Sequence, residues 1–351
     1  MTLLLDIKSG LLKYCLFEDG KCTERKFTYD PIEARHKFRV INKTKKIDTV
    51  GYRFAHGGDV ISEAAMLINV DTLLKIKKAN KFCPERNTII YNEIKNCMQI
   101  LPDAQHILLC DSAFYINLPE HVRTYALPYE FAKRGIRRYG RQGLTHQWAY
   151  EKAKKLSSRQ MHNVISIFLD DYTNIVAIKD GMPLDVSDGF AGEGSLVSKT
   201  YCGGIDLSVI FQMLSRGESV EKINSLLAKK SGFKAMAGGK CGLKDIFRRK
   251  DPKANMAKEV YFYNILKHVG AYIAALGGLD AVIFVGEKKK ELIDLSLEII
   301  SELSFMGLKE KTSAVSFKNH LLTSKRSKID SYYFEFDKWN IMLESTCNIL
   351  K

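Results

Sequence analysis

Residues 3–20 read LLLDIKSGLLKYCLFEDG, and residues 165–181 repeat the same layout as ISIFLDDYTNIVAIKDG. Each stretch has an apolar strand that ends on an acid (Asp6 or Asp170), a short polar turn, a second apolar strand and a closing Asp-Gly pair. These turns and spacings predict two β-hairpins, each of which opens one of two equivalent halves.

Both hairpins are followed by alternating strand and helix patterns. Strands are predicted over 49–55, 106–110 and 281–285, and helices over 71–80, 88–98, a stretch after Thr145, 207–214, 220–229, 255–276 and 291–306. The 351 residues suffice for two domains of ordinary size. We therefore predict an α/β fold of two duplicated domains that pack around a central cleft.

Composition narrows the class of protein. Hydrophobic residues make up 46% of the chain and charged residues 27%, which is typical of globular domains. No window of 18 apolar residues is uninterrupted, so no membrane span is predicted. The eight cysteines include no C-x-x-C pair, which predicts reduced thiols, a cytoplasmic location and no zinc site.

The net charge of +14 raises the question of nucleic-acid binding. Basic residues cluster at 43–46, 133–141, 248–253, 288–290 and 325–328. The clusters are scattered and few aromatic residues lie between them, which favours a solvated basic surface. A nucleic-acid-binding or scaffold role stays an alternative.

Four stretches carry residue types typical of ligand sites. GYRFAHGG (51–58) puts Arg53 at the end of a strand, and CDSAF (110–114) puts Asp111 there. GIRRYGRQGLTH (135–146) brings arginines and glycines to a helix start, which fits either an anion site or structural ion pairs. GLDAVIFVGEKKKE (278–291) ends a strand on Gly286, but lysines follow where a phosphate loop needs several glycines.

Together these stretches resemble the acetate kinase family of the actin-like, sugar-kinase-like superfamily. GYRFAHGG resembles its G-H-R-V-V-H-G-G, and CDSAFYINLP resembles F-D-T-A-F-H-x-x-M-P. YALPYEFAKRGIRRYGRQGLTH (125–146), AIKDGMPLDVSDGF (177–190) and HVGAYIAALGGLDAVIFVG (268–286) resemble three further family segments. The likeness covers nearly the whole chain, in order.

The resemblance implies a fold, a reaction and an assembly. The fold would be two ribonuclease-H-like domains, over 1–150 with a returning C-terminus at about 336–351, and over 151–335. The reaction would be transfer of the ATP γ-phosphoryl group to acetate with Mg²⁺, which depends on positioning and on cations around the phosphoryl group. The assembly would be a homodimer that takes a small carboxylate or oxyanion.

The resemblance also assigns roles to individual residues. The catalytic candidates are Arg53, Asp111, Arg86, Gln142 and Arg141. The substrate-binding candidates are Arg53, Asn87, Arg137 and His146. The nucleotide-binding candidates are Lys13, Asp170, Asp185, Lys244 and Gly286, and Asp6 is the candidate metal ligand.

Several positions depart from the family pattern. In the first hairpin the family's three serines are Ser9, Gly10 and Leu11. A transition-state histidine is Gln142, a phosphoryl-clamping arginine is Tyr201, and Arg86 replaces the histidine of P-L-H-N-P. The second phosphate hairpin, H-L-G-N-G, is FLDDY (168–172), and the adenosine-contacting D-M-R is 242–244.

These departures predict that ATP-dependent phosphoryl transfer is lost or severely reduced, leaving a binding or regulatory module. Loss of a cation at the phosphoryl group costs ~10³–10⁵ in rate. The alternative is an active but respecialised carboxylate kinase in which Arg86 and Arg141 restore the lost cations. ATP and Mg²⁺ are therefore implied by the family alone, and neither needs to bind.

Overall fold

The computed structural model describes residues 1–8, 11–28, 30–190, 194–239, 241–311 and 320–350. Ser9 and Gly10, named above in the first hairpin turn, lie outside the described residues. The strands are β1 (Thr2–Lys8), β2 (Leu11–Glu18), β3 (Lys21–Thr28), β4 (Thr49–Phe54), β5 (Ala65–Leu67), β6 (Gln105–Cys110), β7 (Asn163–Leu169), β8 (Asn174–Lys179), β9 (Met182–Val186), β10 (Ala281–Gly286) and β11 (Asp330–Glu335).

Helices connect and cover these strands. They are α1 (Pro31–Thr44), α2 (Val70–Ala79), α3 (Pro84–Ile100), α4 (Glu120–Arg123), α5 (Tyr129–Lys133), α6 (Gly143–Leu156), α7 (Leu207–Ser215), α8 (Val220–Lys229), α9 (Gly232–Ala237), α10 (Leu243–Arg248), α11 (Pro252–Leu276), α12 (Lys290–Glu302) and α13 (Lys338–Ile349). No helix in the described part of the chain is both long and apolar enough to cross a membrane.

The chain divides into two compact units. Unit 1 contains Met1–Asn117, Arg141–Trp148 and Asp337–Lys351, and unit 2 contains Leu118–Gly140 and Ala149–Phe336. The domain boundaries expected from the sequence stay a proposal.

The two sheets share one topology. In unit 1 the strand order is β3-β2-β1-β4-β6, with β5 added at the edge, and in unit 2 it is β9-β8-β7-β10-β11. Each sheet begins with three antiparallel strands and continues with two strands parallel to the first. The predicted α/β class with duplicated domains is therefore confirmed, and the two hairpins occupy equivalent places.

Burial explains why these segments form central strands. Leu3, Leu4 and Leu5 on β1 have no exposed surface, and every residue of β10 is buried. A strand between parallel neighbours is covered on both faces, so its sequence is continuously apolar rather than alternating. Separate apolar cores form on the two sheets, one for each unit.

Most predicted elements appear with shifted ends. Helix α3 begins at Pro84, four residues before the predicted start, because proline is well tolerated at the first helical position. Helix α12 ends at Glu302 rather than 306, and a short 3₁₀ turn over Ser304–Met306 follows it. Strand β11, which completes the second sheet, is not among the predicted strands.

Candidate active site

Arg53 lies on β4 with its guanidinium against the end of β6. Its Nε donates to Asp111 Oδ2 at 2.8 Å, and its Nη2 lies 2.6 Å from the same oxygen. Nη2 also donates to Gln142 Oε1 at 2.9 Å. Strands β4 and β6 are parallel neighbours, so their carboxyl ends meet at one edge of the sheet and bring these side chains together.

The Arg53–Asp111 pair is almost completely buried. The side chains are 10% and 6% exposed. Burial alone would lower the pKa of Arg53, but the charges of Asp111 and Asp6 outweigh it, so the pKa is raised and the guanidinium stays charged. A buried cation of this kind needs a neighbouring anion, and Asp111 supplies it.

Two further cations lie beside Asp6. Lys338 Nζ donates to Asp6 Oδ2 at 2.5 Å, and Arg86 Nη2 lies 3.6 Å from Asp6 Oδ1. Burial would raise the pKa of Asp6, but Arg53, Lys338 and Arg86 together lower it below its usual value. The pKa of Lys338 is lowered because burial outweighs the attraction of Asp6. We call Asp6, Arg53, Arg86, Asp111 and Lys338 the unit 1 cluster.

The unit 1 cluster holds three cations against two carboxylates. Its charge favours an added anion over an added divalent cation. Oδ1 of Asp6 and Oδ1 of Asp111 are buried without a hydrogen-bond partner among the described residues, which leaves two acceptors that a water or a protonated ligand can satisfy. No group of three or more His, Cys, Asp or Glu among the described residues could hold a metal ion. Asp6 as a metal ligand stays a proposal that this charge does not favour.

Gln142, the residue just before helix α6, contacts Arg53. Gln142 has a positive φ of 58°, which is costly for a residue with a side chain. Its carbonyl accepts the N–H groups of Thr145 and His146 at the start of α6. The next residue is glycine, and a Cβ on Gly143 would lie 2.1 Å from the carbonyl oxygen of Asp111. The start of α6 therefore packs directly on the backbone that carries Asp111.

Three other unit 1 candidates have contacts with the backbone or lie in the core. Asn87 donates through Nδ2 to the carbonyls of His56 and Ala79 at 2.7 and 3.0 Å, so both of its amide hydrogens serve the fold. His146 is fully buried. The carbonyl of Arg141 accepts the hydroxyl of Tyr115 at 2.5 Å. Their predicted roles in substrate binding and catalysis stay predictions.

Lys13 is the nucleotide-binding candidate in unit 1. It faces Asp6 across the β1–β2 ladder. Its charge is close enough to lower the pKa of Lys338, after the larger effect of burial. Lys13 therefore adds positive charge beside the unit 1 cluster.

In unit 2 the second hairpin carries a carboxylate that already has donors. Asp171 accepts from Lys199 Nζ at 2.6 Å through Oδ2 and from the N–H of Leu243 at 2.8 Å through Oδ1. The hydrogen bond that Lys199 donates to Asp171 raises the pKa of Lys199, although burial opposes the shift. Gly242 approaches so closely that a Cβ there would lie 2.7 Å from Asp171 Oδ1. Asp171 therefore ties the β7–β8 turn to the start of α10.

The loop after β10 is also closed by contacts within unit 2. Lys244 Nζ donates to Glu287 Oε2 at 2.7 Å. The Tyr333 hydroxyl donates to the carbonyl of Glu287 at 2.6 Å, and a Cβ on Gly286 would meet that hydroxyl at 2.8 Å. Glu287 of this loop is thus held by Lys244 of α10 and by Tyr333, and Gly286 lies against the same tyrosine.

The remaining unit 2 candidates make local contacts. The side chain of Asp185 accepts from Arg138 Nη1 at 2.8 Å. Arg137 donates through Nε to the carbonyl of Ala132 at 2.9 Å and through Nη1 to Glu120 at 3.0 Å. The backbone of Asp170 closes its turn, since its carbonyl accepts the Thr173 hydroxyl at 2.9 Å.

Two site residues were missed by sequence reasoning. Lys338 lies 332 positions from Asp6 in the chain, and no motif marks it. Its only sequence signal was the expected return of the C-terminus at about 336. Lys199 stands two residues before Tyr201, and the spacing of that segment did not predict its ion pair with Asp171.

Comparisons with known proteins identify the family of this fold. A family model described as the Acetokinase family matches residues 26–338. The chain is 32% identical over 280 residues to an acetate kinase from Halothermothrix orenii, covering 78% of this chain and 70% of the relative. It is 33% identical over 308 residues to an acetate kinase from Francisella tularensis subsp. holarctica, covering 85% and 79%. The crystal structure of Porphyromonas gingivalis acetate kinase superposes with a TM-score of 0.88 at 27% identity, covering 100% of this chain and 99% of that one.

Proposed function

The chain belongs to the acetokinase family, and from this premise we propose that it binds a small oxyanion or carboxylate in unit 1 while its ATP-dependent phosphoryl transfer is severely reduced. The family reaction, as the resemblance implies it, converts ATP and acetate to ADP and acetyl phosphate. ATP and Mg²⁺ belong to that reaction, and the proposal is that this chain uses them poorly.

The observation that carries the proposal is the position of Asp171. Its carboxylate takes the ammonium group of Lys199 and the backbone N–H of Leu243. By the family resemblance, these two segments face the nucleotide. A carboxylate that already satisfies such donors competes with a phosphate for them and repels its charge.

The unit 1 cluster supports the second half of the proposal. Arg86 has 38% of its side chain exposed, and within the described part of the chain its polar contacts are a 3.6 Å ion pair with Asp6 and a hydrogen bond from Nε to the carbonyl of Ile7. Its Nη groups are therefore available to an anion in a cluster whose cations outnumber its carboxylates. Acetate, phosphate and sulfate all suit a guanidinium of this kind.

Titration calorimetry with Mg²⁺ and ATP tests the proposal. The wild type is expected to give little or no heat of ATP binding, and Asp171→Asn to give measurable binding because it removes the competing charge. Asp180→Asn is the matched control: it makes the same change at the exposed end of the β8–β9 turn, where Asp180 pairs with His162. Tight ATP binding by the wild type, with no gain in Asp171→Asn, would contradict the proposal.

An active carboxylate kinase with a changed substrate is the second candidate. The exposure of Arg86 favours it, because that cation stands where the family has a histidine. In this case the wild type binds ATP in the calorimeter and fails only when acetate is the acceptor. A panel of longer carboxylates then identifies the substrate.

A homodimer is part of the proposal. No residue of α7 is buried, and Leu207 and Phe211 are each 66% exposed. Large apolar side chains on one short helix are typical of an interaction surface. The family resemblance points to a second copy of the chain as the partner.

A further inference from the structure

Two cysteine sulfurs touch on the first sheet of unit 1. Cys15 lies on β2 and Cys22 on β3, and their Sγ atoms are 3.1 Å apart. In the ladder Cys22 faces Phe17, which is two residues from Cys15, so both cysteines point to the same face of the sheet. A disulfide bond needs about 2.05 Å between the sulfurs, so an approach of about 1 Å suffices.

The two thiols differ in accessibility. Cys15 is fully buried, and its pKa is raised to about 12 by burial and then by the hydrogen bond to Cys22. Cys22 is exposed, and Arg25 Nε donates to its sulfur at 3.2 Å. Cys22 is therefore the thiol that an oxidant from solvent reaches first.

We propose that Cys15 and Cys22 are an oxidation site at which hydrogen peroxide converts the two thiols into an internal disulfide. The Cys22 thiolate attacks one peroxide oxygen, the O–O bond breaks, and the departing hydroxide takes up the thiol proton as water. The Cys15 sulfur then attacks the sulfenic sulfur of Cys22, the S–O bond breaks, and a second water leaves with the Cys15 proton. Two thiols are oxidised and one hydrogen peroxide is reduced to two waters.

Tryptic mapping of the intact protein tests this site directly. Cleavage after Lys13, Lys21 and Arg25 separates the cysteines into YCLFEDGK (14–21) and CTER (22–25). After treatment with hydrogen peroxide and alkylation of the remaining thiols, the two peptides are expected as one linked species, lighter by two hydrogens than their sum. Dithiothreitol is expected to separate them.

Two variants make the result specific. Cys22→Ser is expected to lose the linked species entirely. Cys347→Ser removes another exposed cysteine, on α13, and is expected to keep the linkage at the wild-type level. CTER carrying a sulfinic or sulfonic acid beside an unlinked, alkylated YCLFEDGK would overturn the proposal, as would Cys22 linked to a second chain.

Discussion

Arg53 is the residue on which the unit 1 cluster depends. It binds Asp111 and Gln142 directly, and its charge also lowers the pKa of Asp6 against the effect of burial. Removing such a residue has two consequences, since it deletes a cation of the proposed anion site and also leaves buried carboxylates without compensation.

Arg53→Ala is therefore expected to lose about 3–5 kcal/mol of unfolding free energy and the stabilisation that sulfate or acetate gives to the wild type. Urea unfolding measures the first effect, and a thermal shift with added oxyanion measures the second. Arg35→Ala is the matched control, because Arg35 pairs with the buried Glu93 at 2.7 Å elsewhere in unit 1. Arg35→Ala is expected to lower the free energy of unfolding and to keep the thermal shift with added oxyanion. Loss of that shift in both variants would refute the assignment of Arg53 as an anion-binding residue.

Asp6→Asn is expected to destabilise the fold in a pH-dependent way. The folded pKa of Asp6 lies below its unfolded value of 3.8, so the carboxylate stabilises the fold above that pH, and the stabilisation is lost as pH falls through the folded pKa. The variant should therefore cost about 3 kcal/mol at neutral pH and progressively less below pH 3.8.

Urea unfolding of wild type and variant from neutral pH to the lowest pH with a cooperative transition checks this expectation. Asp103→Asn, at an exposed carboxylate between α3 and β6, controls for the loss of one negative charge. A cost of Asp6→Asn that stays constant down to the acid limit would show that its ion pairs are not the cause.

Helix α13 supplies Lys338 to the unit 1 cluster, and the start of helix α6 places Gln142 beside it. The start of α6 packs against the Asp111 carbonyl through Gly143, and α13 begins with Lys338 after the cap residue Asp337. Asp337 accepts the N–H of Trp339 at 3.0 Å and also binds Arg25. Helix ends therefore set the positions of Gln142 and Lys338.

Gly143→Ala is expected to destabilise the protein by about 1–3 kcal/mol, because the added methyl group meets backbone that cannot yield. Gly270→Ala makes the same change in the middle of α11, where a Cβ has no neighbour within 4 Å. It is expected to be stabilising by about 0.5–1 kcal/mol, since alanine is the better helix former. Thermal unfolding of both variants separates the two cases, and equal effects would contradict the close approach.

The sequence predicts the strands and helices better than it predicts the contacts between them. Apolar runs such as 3–5 and 281–285 predicted central strands, because a strand covered on both faces must be apolar throughout. The sequence also shows which residues stand at the ends of the predicted strands, and this position makes Arg53 and Asp111 candidate site residues. Lys338 and Lys199 were missed because an ion pair across a long chain separation leaves no local pattern, and only the fold brings its members together.

The two units of the molecule differ in how their charged side chains are paired. Unit 1 has a cluster in which three cations face two carboxylates. In unit 2 Asp171 accepts from Lys199 and Leu243, and Lys244 pairs with Glu287. The family fold is retained in both units.

The wild type is expected to be a dimer in solution, held at least in part by α7. Leu207→Asp with Phe211→Asp is expected to give a monomer, because charges are costly in an apolar interface. Val70→Asp changes an equally exposed residue on α2 of unit 1, 74% exposed, and is expected to leave the dimer intact. Light scattering at micromolar concentration distinguishes the monomer from the dimer. A monomeric wild type would contradict the proposal that α7 is a dimer contact.

The central claim is that phosphoryl transfer to acetate is severely reduced, and turnover measures it most directly. Acetyl phosphate formed from ATP, Mg²⁺ and acetate is trapped with hydroxylamine and quantified as the hydroxamate, using saturating substrates and a catalytically intact family member as reference. We expect a rate at least about 10³-fold below the 1–10³ s⁻¹ typical of enzymes. A rate within that range would contradict it, and would make Arg86 and Arg141 the residues to test next.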